Sequence, residues 1–68
     1  MDQDAFNMSI RKFLKMVCVS SQREIEQAVQ QALQSGKLKG TETFPVKATL
    51  EIPQLGIKVP FDGEIKLK

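Results

Sequence analysis

The sequence predicts an α+β fold: two N-terminal helices packed on a small antiparallel sheet of two or three strands, in the order ααβββ. Three observations carry this. Before Ser35 the apolar residues recur at helical spacing; after Gly40 they alternate with polar ones, the period of a half-buried strand. Between these regimes Val19-Ser20-Ser21-Gln22-Arg23-Glu24-Ile25 carries the mark of a helix start. Ser21 followed three residues later by Glu24 is a capping box, in which the serine hydroxyl accepts from the Glu24 N–H and the Glu24 carboxylate accepts from the Ser21 N–H. On this reading Ser21→Ala would cost about 0.5–2 kcal/mol.

The first helix is expected over about residues 4–17. Asp2 or Asp4 can cap it, and either favours its positive end. Phe6, Ile10, Phe13, Leu14 and Val17 form one face, and Arg11, Lys12 and Lys15 lie opposite with Met8. Cys18 stands where this helix should end. The second helix is expected over about residues 22–34, with Ile25, Ala28, Val29, Ala32 and Leu33 as its apolar stripe. Arg23, Gln27, Gln30, Gln31 and Gln34 cover its other face, and Gly36 suits the left-handed position just past its end.

Val46, Ala48, Leu50 and Ile52 alternate with Lys47, Thr49 and Glu51, giving a strand over 46–52. Pro53-Gln54-Leu55-Gly56 is a turn with proline first and glycine last. Ile57, Val59 and Phe61 form a second strand over 57–61. Pairing Ile52 with Ile57 sets Leu50 against Val59 and Glu51 against Lys58, with apolar residues on one face and opposite charges on the other. Phe61-Asp62-Gly63 reads as a three-residue hairpin loop with Gly63 left-handed. A third strand over 64–68 then sets Ile65 against Val59 and Leu67 against Ile57. Pro60 conflicts with this arrangement, because a central strand needs its N–H for the ladder. The helix pair and the sheet would bury their apolar faces against each other in two layers, making residues 1–68 one domain.

Composition narrows the chemistry. The chain has 68 residues, 41% hydrophobic and 26% charged, which fits a small folded domain rather than disorder. One cysteine precludes an internal disulfide and fits a reducing compartment. An acidic N-terminal stretch without a long apolar run speaks against a signal peptide or a membrane span, so the chain reads as cytoplasmic. There is no histidine, which removes histidine-based catalysis, histidine metal ligands and a Cys–His nucleophile. Cys18 then reads as a small apolar residue. Asp62 and Glu64 read as polar surface, no glycine-rich phosphate loop precedes a helix, and neither catalysis nor a cofactor is expected.

The run Ala5-Phe6-Asn7-Met8-Ser9-Ile10-Arg11-Lys12-Phe13-Leu14-Lys15, with Ser21-Gln22-Arg23-Glu24-Ile25-Glu26, Leu50-Glu51-Ile52-Pro53 and Asp62-Gly63-Glu64-Ile65, resembles a family of small bacterial proteins of unknown function. The resemblance spans nearly the whole chain and implies a complete bacterial protein. It brings no activity and no binding residue. Cys18 stands where that family leads one to expect glycine.

Two functional classes remain. The first is a protein-interaction module, with Arg11, Lys12 and Lys15 as a contact surface for an acidic partner. In this class the chain is monomeric by default, and the outer edge at Val46–Ile52 would accept a second copy or a partner strand. The second is nucleic-acid binding. Val17–Ile25 loosely resembles the turn of a helix-turn-helix, the following hairpin resembles a wing, and Arg23, Gln27 and Gln30 would face the groove. A net charge of +2 with well-mixed signs does not favour it, nor do Glu24 and Glu26 at the helix start.

Overall fold

The computed structural model describes residues 1–68. It is α+β and consists of one long helix followed by a two-stranded antiparallel sheet. The chain divides into two compact units, Met1–Lys37 and Leu38–Lys68.

The first unit is helix α1, Gln3–Gln34, 32 residues long. Its start is capped by Asp2, whose carboxylate accepts from the Ala5 N–H at 3.2 Å; Asp4 adds a favourable charge in the first turn. Its end is a Schellman turn. Gly36 has φ +83°, the Lys37 N–H donates to the Ala32 carbonyl at 2.8 Å, and the Gly36 N–H donates to that of Leu33 at 3.3 Å.

The expected division into two helices is corrected here. Residues 17–25 are helical throughout, so Ser21 is an interior residue and not an N-cap. The reason is the absence of a breaker: no glycine or proline occurs between Gln3 and Ser35. A capping box only permits a helix to start, whereas continuing an existing helix avoids a second nucleation. The two apolar stripes overlap only in part: Val29 and Leu33 fall five full turns above Arg11 and Lys15, so the apolar stripe drifts round the helix. Phe6, Val17 and Ala28 recur every eleven residues, about three turns, so the first stripe continues through Ala28 on the same cylinder. Cys18 needs no special backbone, since no non-glycine residue has positive φ.

The second unit is a β-hairpin of β1, Thr43–Ile52, and β2, Ile57–Lys66. A 3₁₀ turn over Pro53–Leu55 joins them, with Gly56 left-handed at φ 67°, ψ 23° and its N–H donating to the Pro53 carbonyl at 3.2 Å. Ile52 opposite Ile57, Leu50 opposite Val59 and Glu51 opposite Lys58 follow the expected register.

Beyond Val59 the structure departs from expectation. β2 runs straight through Phe61-Asp62-Gly63, so there is no second loop and no separate strand at 64–68. Ala48 pairs with Phe61, Val46 with Gly63 and Phe44 with Ile65; Ile65 therefore does not face Val59, nor Leu67 Ile57. β1 correspondingly begins at Thr43 rather than Val46. Prolonging the single register keeps every apolar residue on one face without a second turn.

Two strands also resolve the proline conflict. The Leu67 N–H donates to the Glu42 carbonyl at 3.0 Å, which marks Glu42 and Leu67 as a hydrogen-bonded pair. Such pairs alternate along an antiparallel ladder, so Pro45 opposite Glu64 and Thr49 opposite Pro60 are non-hydrogen-bonded pairs. The nitrogens of both prolines then point to the free edges, where a missing donor leaves no ladder bond unmade.

Candidate functional site

Two surfaces and one loop carry the features a partner could recognise. On α1 a turn takes 3.6 residues. Arg11, Lys12, Lys15, Arg23, Gln27 and Gln30 therefore fall on one broad side of the helix, away from the stripe begun by Phe6, Ile10, Phe13, Leu14 and Val17. All six are exposed. The acidic-partner set and the groove-facing set, assigned by the sequence to separate helices, are thus parts of one polar face. Gln22 and Glu26 share it, with the Gln22 Nε2 donating to the Glu26 carboxylate at 3.0 Å. No turn separates two helices here, so the helix-turn-helix geometry is absent.

The apolar stripe of α1 is exposed too. No residue of the helix is buried, and Phe13 keeps 44% of its surface accessible. Ile25, Val29 and Ala32 are half-buried. Met8, Met16, Val19 and Leu33 add exposed apolar surface on the polar side; of these the sequence singled out Met8 there and assigned Leu33 to the second stripe.

The hairpin has two unlike faces. On one lie Phe44, Val46, Ala48, Leu50 and Ile52 with Ile57, Val59, Phe61, Gly63 and Ile65, the alternate positions of the register. On the other, Lys47 faces Asp62 and Glu51 faces Lys58. Asp62 and Glu64 both lie on this polar face, on a strand and not in a turn. On the apolar face Phe61 is 57% exposed, and Leu55, at the turn, is 70% exposed. Phe44, opposite Ile65, escaped the sequence reading, which began the first strand at Val46; Phe61, read as the end of the second strand, lies opposite Ala48 in the middle of the ladder.

The third feature is Glu42, which sequence reasoning missed. Its Oε1 accepts from the backbone N–H groups of Lys39, Gly40 and Thr41 at 3.0, 3.0 and 3.1 Å, and its Oε2 accepts from Lys39 at 2.9 Å. Gly40, at φ 99°, gives the loop the positive backbone angle that turns these donors toward one side chain. The Lys39 N–H does most to hold the Glu42 carboxyl below the usual glutamate range. Desolvation opposes the shift, and the Glu42, Gly40 and Thr41 N–H groups add to it. The signal available in the sequence was a Gly-x-Glu placed just before a strand.

A lowered pKa in the folded chain stabilises it above the ordinary glutamate value, and that contribution is lost as pH falls through the lowered pKa. Glu42→Gln removes it at neutral pH, because an amide presents one acceptor and a clashing NH₂ to the same donors. Thermal melts followed by circular dichroism are expected to show the variant melting below wild type at pH 7. The gap should close as the pH is taken into the acid range; a gap independent of pH would assign the effect to packing.

A 32-residue helix followed by a two-stranded antiparallel hairpin places the chain among small α+β proteins. The chain belongs to the family described as a family of unknown function (DUF6494), which it matches over residues 1–68. No curated protein and no solved structure matches it. No helix is long and apolar enough to cross a membrane.

Proposed function

We propose that this chain is a small non-catalytic interaction module that uses its apolar faces to hold a protein partner. One observation carries the reading: the hairpin sorts its apolar side chains onto one face of a two-stranded sheet, and α1 carries Phe6, Ile10, Phe13, Leu14 and Val17 along one side. Exposed single apolar residues are ordinary, but a contiguous apolar face marks an interaction surface. The edge of β1 from Lys47 to Glu51 offers further outward N–H groups to a partner strand, while Pro45 blunts its beginning. Nucleic-acid binding is the weaker alternative. The basic residues of α1 share their face with Glu26 and the exposed Met8, Met16, Val19 and Leu33, a poor match for phosphate.

Site-specific photo-cross-linking in the source cell tests the reading. A benzophenone side chain in place of Phe61 or Phe13 is expected to yield protein adducts of discrete mass. The same group in place of Lys58, on the polar face, is expected to yield few. Adducts equally frequent from all three positions, or from none, would refute a face-specific module.

A further inference from the structure

We propose that the outer edge of β1 pairs antiparallel with the same edge of a second copy of this chain, centred on Thr49, so that two hairpins join into one four-stranded sheet. The proposal rests on the interaction-module reading and names the partner of its strand edge.

The ladder decides which backbone groups are free. Glu42 and Leu67 are a hydrogen-bonded pair, and such pairs recur at every second position. The even-numbered residues of β1 therefore direct their N–H and C=O groups to β2. The odd-numbered residues direct theirs outward. Among these, Lys47, Thr49 and Glu51 are exposed and carry N–H groups with no acceptor in the chain. Pro45 and Pro53 bound the run and have no N–H to offer. The run is thus symmetric about Thr49. A two-fold axis there sets Thr49 opposite Thr49, Lys47 opposite Glu51 and Pro45 opposite Pro53 of the second copy. Lys47, Thr49 and Glu51 then each donate one ladder bond and accept one, and the residues without a donor meet at the two ends.

Charge fixes the register. Within the hairpin Lys47 faces Asp62, and Glu51 faces Lys58. Pairing about Thr49 prolongs these rows across the new seam: Asp62 and Lys47 of one copy continue into Glu51 and Lys58 of the other. The signs alternate along the whole row. Sliding the second copy by two residues sets Lys47 against Thr49 and Glu51 against Pro45, and sliding it further sets Lys47 on Lys47. Sliding it the other way sets Glu51 against Thr49 and then on Glu51. A slip by one residue would turn the two apolar faces to opposite sides. In the symmetric register the apolar face stays continuous, with Phe61 and Ala48 of one copy running into Leu50 and Val59 of the other.

The edge of β2 does not serve. Its outward positions are Lys58, Pro60, Asp62, Glu64 and Lys66. Pro60 interrupts the donors, and pairing about Asp62 would set Asp62 on Asp62 and Lys58 on Lys66. Joining β1 to the β2 edge of another copy would be head-to-tail and would leave edges for further growth. With β1 on β1 the assembly closes at two copies. Its outermost edges are then those already blunted by Pro60 and by lysines.

The edge is short, so the dimer is expected to be weak, and its amides give the direct readout. Hydrogen exchange followed by nuclear magnetic resonance is expected to be severalfold slower at Lys47, Thr49 and Glu51 at about 1 mM chain than at about 20 μM, with Lys58, Asp62 and Glu64 unchanged. Sedimentation equilibrium over the same range is expected to show a monomer–dimer equilibrium. Thr49→Pro should weaken it at least about tenfold, and because position 49 faces outward opposite Pro60, the hairpin keeps its own ladder bonds. Lys47→Glu and Glu51→Lys should each weaken self-association at least about fivefold, since each puts two like-charged pairs in the seam. Mixing these two variants restores opposite charges in both pairs, and the mixed dimer should return to within about threefold of wild type. The like-charge contact that each variant makes inside its own hairpin is the same alone and in the mixture, so it cancels.

Circular dichroism checks that each variant remains folded; the amide pattern, taken on the unmodified chain, tests the edge without them. A chain that stays monomeric at about 1 mM overturns the proposal, as does a dimer indifferent to Thr49→Pro or one that protects the β2 amides in place of those of β1. Variants that gain nothing on mixing overturn the register about Thr49. A monomer that still gives adducts from Phe61 or Phe13 to another protein would end the pairing and leave the interaction-module reading standing. A dimer with the expected amide pattern and no face-specific adducts would keep the pairing and end that reading.

Discussion

Gln22→Pro is expected to destabilise α1 by about 3 kcal/mol or more, with a loss of helix content visible by far-ultraviolet circular dichroism. The size and the sign both come from where position 22 lies. If Ser21 capped a second helix, Gln22 would be its first residue, the one helical position where proline fits because its N–H has no partner anyway. The substitution would then be nearly silent. In the continuous helix Gln22 lies well inside Gln3–Gln34, so its N–H belongs to the helical ladder and the proline ring meets the carbonyl four residues back. Ser21→Ala provides the complementary measurement. As an N-cap change it would destabilise the fold. As an interior change it replaces a residue that competes for backbone hydrogen bonds with the best helix former, and a gain of up to about 0.7 kcal/mol is expected. A silent Gln22→Pro together with a damaging Ser21→Ala would restore the two-helix arrangement.

Two glycines of the hairpin are expected to respond with opposite signs. Gly56 closes the turn at φ 67°, and Gly56→Val should destabilise the hairpin by about 1–2 kcal/mol, because a side chain in the left-handed region meets its own backbone. Gly63 is in extended β2 opposite Val46, and positive φ is confined to Gly36, Gly40 and Gly56. A Cβ added there would approach Val46 Cγ1 at 3.6 Å, an ordinary contact. Gly63→Ala should therefore stabilise the hairpin by about 0.5–1 kcal/mol, since glycine inside a strand carries an entropic penalty that alanine does not. Were Gly63 the left-handed residue of an Asp-Gly loop, the same change would destabilise. Urea titrations of the two variants against wild type read both signs.

These contrasts show where the sequence was legible. Periodicity identified the apolar stripe of α1, the alternation in both strands and the register from Ile52–Ile57 to Leu50–Val59, because side-chain period is a direct imprint of which face is apolar. Strong single-residue constraints were also readable: Asp2 or Asp4 as cap, Gly36 as the residue past the helix end, and Pro53–Gly56 as the turn. The optional signals misled. Ser21–Glu24 and Asp62–Gly63 each permit a cap or a turn, and each also fits inside a longer element when nothing nearby forbids it. The six polar residues of the candidate surface were read on the sides of two helices away from their stripes. Their common face was not visible while they were assigned to two helices.

The sequence by itself determined the order of helical and extended segments, the face on which each would be apolar, and the exclusion of histidine chemistry. All three depend on residue identity and local spacing alone. Only the tertiary structure decided that α1 is one helix, that two strands form the sheet, that Pro45 and Pro60 point to free edges, and that Glu42 gathers the N–H groups of its own loop. The physical reason is common to these four. A cap, a turn, a proline or a carboxylate offers the backbone a choice among hydrogen-bond partners. The choice is settled by which arrangement satisfies the whole ladder and keeps the apolar face unbroken, a condition on residues far apart in the chain and not on any short stretch of it.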